Sequence, residues 1–102
     1  MNRTLLTATI IVTSLAIVGI AQAAGNVEAG KTKSASCAAC HGADGKGGSG
    51  GALAGIPEAQ QVKALQDYKS GARPNPIMRG LTAALSDQDM EDVSAYYASL
   101  PR

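Results

Sequence analysis

The stretch Cys37-Ala38-Ala39-Cys40-His41 holds the only two cysteines and the only histidine of this chain. A helical turn ending in a tight loop sets two such sulfurs beside the two vinyl groups of one porphyrin edge. Each sulfur then becomes a thioether, and the next residue is held over the iron, where an imidazole nitrogen ligates it. The spacing is the attachment signature of a c-type haem. Three other chemistries compete for the same residues. A redox disulfide of the thioredoxin kind requires a βαβ setting, and this sequence reads as helices and loops. A structural zinc site needs four ligands, and with no further Cys or His only Asp44 is left to close the tetrahedron. A purely structural disulfide would close a very short loop, gain little and leave His41 without a role.

A haem so bound presents a second axial face, for which the chain offers two methionines beyond its first residue, Met78 and Met90. Pro74-Asn75-Pro76 is expected to bar regular helix and to fix an extended path, because each proline also restricts the residue before it. Met78 would follow on that rigid loop. Met90 instead recurs with Val93, Tyr97 and Leu100 at helical spacing and reads as a packing residue. Met78 is therefore the expected ligand, since a loop places sulfur over iron without tearing a helix from its core. Arg73, Arg79 and Tyr68 are candidates for haem propionates, with ordinary surface placement as the alternative.

These residues need elements to position them. Asn26 is expected to cap a helix from Val27 to about Ser36 that leads straight into the cysteines, with Glu28 at its positive end. Gly30 lies inside it, and an interior glycine costs about 1 kcal/mol against alanine, so another helix should approach closely there. Residues 42–52 are glycine-rich and read as an irregular loop. A phosphate cradle is rejected, for no strand precedes the glycines and no Lys-Ser or Lys-Thr follows. Pro57 suits the first turn of a second long helix, with Ala59, Val62, Leu65 and Tyr68 as its apolar stripe and Gly71 as its stop. Ser86 and Asp89 read as a capping box for the last helix, which Pro101 ends.

The first residues have their own logic. Arg3, an apolar run from Leu5 to Ile20 and the small-residue terminus Ala21-Gln22-Ala23 describe a secretory signal peptide over residues 1–23, expected to be cut after Ala23. The alternative is an uncleaved anchor, in which case the chain would meet a membrane. Export suits the thiol pair, since an oxidising compartment favours either a disulfide or covalent capture. The domain of residues 24–102 has no Trp, no Phe and three tyrosines. Such a chain is too small and too poor in large apolar groups to fill a core alone. A buried porphyrin would supply the missing area. Nine basic residues face eight acidic ones, and without Arg3 the domain is neutral, so nucleic-acid binding is not expected. Asp87, Asp89, Glu91 and Asp92 follow a cluster of Lys63, Lys69, Arg73 and Arg79, and such a run is read as a solvated helix face.

Cys37 to Gly42, Leu53-Ala54-Gly55, Tyr68-Lys69-Ser70-Gly71, and Leu85 to Met90 through Ala95-Tyr96-Tyr97 follow in an order that resembles class I cytochromes c. The likeness is especially to the small bacterial mono-haem type and to one half of the di-haem cytochromes. The resemblance implies an all-α fold of about three main helices and loops wrapped around one covalent haem c. It implies Cys37 and Cys40 as thioether anchors, His41 as proximal ligand and Met78 as distal ligand, with Gly30 facing Val93, Tyr96 or Tyr97. Relatives often carry a proline where this chain has Gly51, and its carbonyl orients the histidine ring. The implied role is a periplasmic, non-enzymatic carrier of single electrons between redox partner proteins, with no small-molecule substrate. Alternatives are a cytochrome subunit of a dehydrogenase complex, of the flavocytochrome type, and a five-coordinate haem enzyme or gas-binding protein.

Overall fold

Each helix of the domain begins and ends where its own side chains allow. In the computed structural model, which describes residues 9–12 and 25–102, they are α1 (Val27–Lys33), α2 (Ala35–His41), α3 (Glu58–Ser70), α4 (Pro76–Thr82) and α5 (Asp87–Ser99). No strand occurs among the described residues. The expected leader lies outside them, except for residues 9–12, which are irregular and exposed.

Asn26 caps α1 by accepting the amide of Ala29 at 2.9 Å. The single helix expected up to Ser36 is broken at Ser34, where the backbone (φ −80°, ψ 2°) leaves helical geometry. Ser34 closes α1 by donating its hydroxyl to the carbonyl of Lys31 at 2.9 Å, and its own carbonyl accepts the amides of Cys37 and Ala38 to open α2. Ser86 and Asp89 form the expected capping box of α5, each side chain accepting the other's amide at 3.0 Å. Gly71 stops α3 in the left-handed conformation.

Two sequence expectations need correction here. Pro74-Asn75-Pro76 does not exclude helix. Asn75 is an N-cap whose Oδ1 accepts the amides of Ile77 and Met78 at 3.1 and 3.0 Å, and Pro76 takes the first helical position, where its missing N–H is no loss. Met78 thus sits in the first turn of a short capped helix, not on a loop. On α3, the stripe of Ala59, Val62, Leu65 and Tyr68 is no buried face: Ala59 is exposed and the others half-buried. The buried residue is Gln61, whose Nε2 donates to the carbonyls of Leu53 and Ile56 at 3.2 and 2.7 Å and so fastens the incoming loop.

The core is the crossing of α1 and α5, with α3 also packed against α5. Met90, Val93 and Tyr97 are buried as their spacing predicts. Gly30 permits the crossing: a Cβ there would lie 1.9 Å from the carbonyl oxygen of Asp92 and 2.8 Å from the Cβ of Tyr96. The acidic run is more than a solvated face. Asp92 is turned inward and only 3% exposed. It accepts the amide of Asn26 and the side chain of Gln88, both at 2.8 Å, and pairs with Lys33 at 2.6 Å, while Asp89 holds the same ammonium at 2.8 Å. This clasp ties the two ends of the chain's helical frame together.

Candidate functional site

Cys37, Cys40 and His41 occupy positions i, i+3 and i+4 of α2, which share one face of a helix. Both thiols are free and half-buried. Burial pushes the Cys37 thiol above its ordinary value, only partly opposed by Ser36. An attacking redox thiol needs the opposite shift, because the thiolate is the nucleophile. Among the described residues, no group of three or more His, Cys, Asp and Glu side chains could hold a metal ion, so the zinc alternative finds no set of ligands.

The glycine-rich loop clamps the end of α2 and fixes the histidine. Gly50 donates its amide to the carbonyl of Cys40 at 2.8 Å, and Gly47 donates to the carbonyl of His41 at 2.9 Å. The carbonyl of Gly51 lies 2.5 Å from His41 Nδ1. A carbonyl only accepts, so Nδ1 carries the proton and Nε2 keeps its lone pair. A ring fixed in this way through its other nitrogen is the arrangement of metal-ligating histidines. Glycine in place of the relatives' proline therefore preserves the carbonyl bond. The face of the imidazole lies on Gly50, where a Cβ would come within 2.8–3.1 Å of three ring atoms.

Met78 is half-buried on α4, one turn before Thr82, which is 1% exposed. The i, i+4 pair makes this the inner side of α4. The structure thus holds Cys37, Cys40 and His41 on one helix and presents Met78 on another, while Met90 stays buried at 1% exposure among the α5 core residues. Tyr68 carries Arg73 over its ring at 4.8 Å, and the Arg79 guanidinium lies against Gly71.

Whether these residues fit a haem is tested by what the polypeptide leaves unpacked. Among the described residues only five apolar ones are buried: Ala54, Met90, Val93, Ala95 and Tyr97. Leu53, Ile56, Leu65, Met78 and Leu85 remain half-exposed. Helix α2 packs chiefly on α1, and α4 on α3, so the cysteine helix and the methionine helix do not close on each other. The hydroxyl of Tyr97 is buried without a hydrogen-bond partner among the described residues. Burial, followed by the nearby Cys37 sulfur, pushes that phenol up to about 12, and the Ser34 side chain opposes this only in part. Two thiols, one free imidazole nitrogen, a soft thioether and uncovered apolar walls are the donor set and lining that a haem requires. The residues fit. Residues overlooked in the sequence are Gly50 and Ser34; glycine abundance marked the loop, but no local signal showed which glycine meets the ring.

Comparison with known proteins agrees with this geometry. Residues 27–101 match the family described as cytochrome c. The chain is 43% identical over 88 residues to cytochrome c4 of Pseudomonas aeruginosa, covering 84% of this chain and 44% of that one. It is 41% identical over 110 residues to cytochrome c4 of Stutzerimonas stutzeri, covering 97% and 51%. It therefore spans about half the length of these relatives. The solved structure of reduced recombinant cytochrome c4 from Pseudomonas stutzeri superposes with a TM-score of 0.69 at 41% identity, covering 76% of this chain and 47% of that one. A thiosulfate dehydrogenase structure from Marichromatium purpuratum gives 0.68 at 32% identity, covering 74% and 19%. With a family match across all five helices, the chain belongs to the cytochrome c family and carries one covalent haem c.

Proposed function

We propose that the chain is a carrier of single electrons, not an enzyme, and that Cys37 and Cys40 anchor its haem while His41 and Met78 take the two axial positions. The observation that supports this most is the histidine: with Nδ1 held by Gly51, Nε2 is left as a ligand in a fixed orientation. The bound haem supplies the one-electron couple of its iron. The protein's own part is to hold that couple still and dry. His41 is clamped by the loop, and Met78 is held by the Asn75 cap through its own amide. A thioether favours the reduced metal, so Met78 raises the potential relative to a second imidazole. With both axial positions filled by side chains, no reagent reaches the metal, and no general acid, base or nucleophile is needed.

The compartment follows from the leader. Residues 1–23 would direct export with cleavage after Ala23, placing residues 24–102 in the periplasm of a bacterium. Among the described residues, no helix is long and apolar enough to cross a membrane. Partners would be redox proteins. A second reading, a cytochrome unit within a dehydrogenase assembly, draws support from the match to part of a thiosulfate dehydrogenase.

The test is spectroscopic and electrochemical. The purified haem protein should cycle reversibly at an electrode, and its reduced form should bind carbon monoxide only slowly at neutral pH. Met78→Ala should lower the potential and admit carbon monoxide at once. Rapid binding to the unaltered protein would instead support the five-coordinate alternative.

A further inference from the structure

Helix α4 has seven residues, with a glycine, Gly80, in its interior. A helix of that length is marginal in water unless tertiary packing holds it. Five of the seven are exposed and Met78 is half-buried. Thr82 alone is buried, at 1% exposure, and is thus the residue by which α4 is sunk into the protein. A side chain chosen for packing alone would be apolar at such a place. Threonine brings a hydroxyl, which needs a partner when buried. Thr82 Oγ1 donates to the carbonyl of Met78 at 2.8 Å, with a longer second contact to the carbonyl of Arg79 at 3.3 Å.

Met78 is therefore held by side chains at both of its backbone polar groups. Asn75 Oδ1 accepts its amide at 3.0 Å, and the Thr82 hydroxyl holds its carbonyl. We infer that Thr82 is a positioning residue for Met78: its buried hydroxyl fixes the carbonyl end of the ligand residue and so keeps the thioether in its axial place. The inference rests on the reading of Met78 as the distal ligand. The bond itself is the back-bond that threonine makes within helices. Its consequence comes from what it joins, the one buried residue of α4 and the one α4 residue that carries a soft sulfur. Motion of the Met78 backbone away from its place must then either break this bond or pull Thr82 out of the interior. Gly80, between the two, gives the helix no stiffness of its own.

The test uses the haem-loaded protein and begins with Met78→Ala. If that variant keeps the spectrum and the slow carbon monoxide binding of the unaltered protein, Met78 is no ligand, and the inference falls with the reading beneath it. Thr82→Val and Thr82→Ser then separate hydroxyl from shape. Valine matches threonine in branching and helix propensity, and the Met78 carbonyl keeps its helical amide partner, so Thr82→Val should fold as before. Its reduced form should nonetheless bind carbon monoxide about fivefold faster, the factor that one lost hydrogen bond supplies, and its sulfur-to-iron band should weaken. Thr82→Ser keeps the hydroxyl and loses a methyl group. It should lower the denaturant midpoint through the small cavity, yet keep the slow carbon monoxide binding and the band. Ligand readouts that follow packing, disturbed by serine and untouched by valine, would overturn the inference. So would readouts unchanged in both variants.

Discussion

The crossing of α1 and α5 and the flanks formed by α2 and α4 are built on opposite terms. At the crossing, protein meets protein: Gly30 lets the backbones touch, Met90, Val93 and Tyr97 fill the interior, and Asp92 binds Asn26, Gln88 and Lys33. On the other side, α2 and α4 lean on different neighbours and leave Leu53, Ile56, Leu65 and Leu85 half-exposed. One region is completed by the chain, and the other leaves apolar side chains uncovered, as a bound haem would require. The difference teaches where stability and function can be altered separately.

The largest effect should follow from removing the anchors. Cys37→Ala with Cys40→Ala should yield a chain that loses haem in denaturant and does not fold cooperatively, since five buried apolar residues make a small core. Haem retention on a denaturing gel and the sharpness of thermal unfolding measure this. A cooperative domain without haem would show that the α1–α5 region is sufficient alone.

The two methionines separate the regions more finely. Met90→Ala should cost about 2–5 kcal/mol by cavity formation and leave the haem spectrum unchanged, whereas Met78→Ala should change the spectrum and the potential. Loss of the sulfur-to-iron band in the Met90 variant would reverse the assignment. Gly30→Ala should destabilise by roughly 1–3 kcal/mol, because the added methyl meets backbone, which cannot rotate away. Denaturant midpoints measure both, and a spectrum altered by Gly30→Ala would mean the two regions are more tightly coupled than their packing suggests.

The acid clasp gives the crossing a pH signature. The Lys33 ammonium, followed by hydrogen bonds from Ser86, lowers the Asp89 carboxyl to about 2. The same ammonium, followed by the Asn26 amide, lowers Asp92. Groups with depressed folded-state values stabilise the protein above their unfolded values, near 3.9 for aspartate, and that contribution is lost as pH falls through the folded values. Stability should thus be full above about pH 5 and decline from about pH 4 toward pH 2. Asp92→Asn should flatten the decline. The raised Lys33 acts at the other end, its contribution fading only as pH rises above 10.5.

How much was legible in the sequence divides along similar lines. Caps and the α5 face are local, carried by residues within a turn of each other, and they appear as read: Asn26, Ser86 with Asp89, Met90, Val93 and Tyr97. The α4 helix was lost because two prolines were read as breakers, although an Asn cap followed by proline at the first helical position is itself a start signal. Nothing local foretold the break at Ser34 or the inward turn of Asp92. Asp92 depends on partners far away in the chain, Asn26 and Lys33 across the α1–α5 crossing, whereas Ser34 is held by its neighbours Lys31, Cys37 and Ala38. Candidate site residues could be named from local spacing, while the fixing of the His41 ring depends on a ten-residue return of the loop.

Two neighbouring glycines of that loop give the finest test, with effects of different kinds. Gly51 contributes its carbonyl to His41, and a Cβ there would meet nothing within 4 Å. Its φ lies outside the left-handed region, so Gly51→Ala keeps the bond to Nδ1 and narrows the unfolded ensemble, stabilising by about 0.4–1 kcal/mol. Gly50 also has an ordinary φ, but its Cβ would press on the imidazole at 2.8–3.1 Å. Gly51 holds the ring through Nδ1, and a metal bound at Nε2, as proposed, would further keep it from swinging aside. Gly50→Ala should therefore tilt the ligand and shift the paramagnetic proton resonances of the oxidised protein, with little change in denaturant midpoint. Unshifted resonances would mean that the loop yields instead of the ring, and that the site region owes its geometry to the cofactor more than to the glycine clamp.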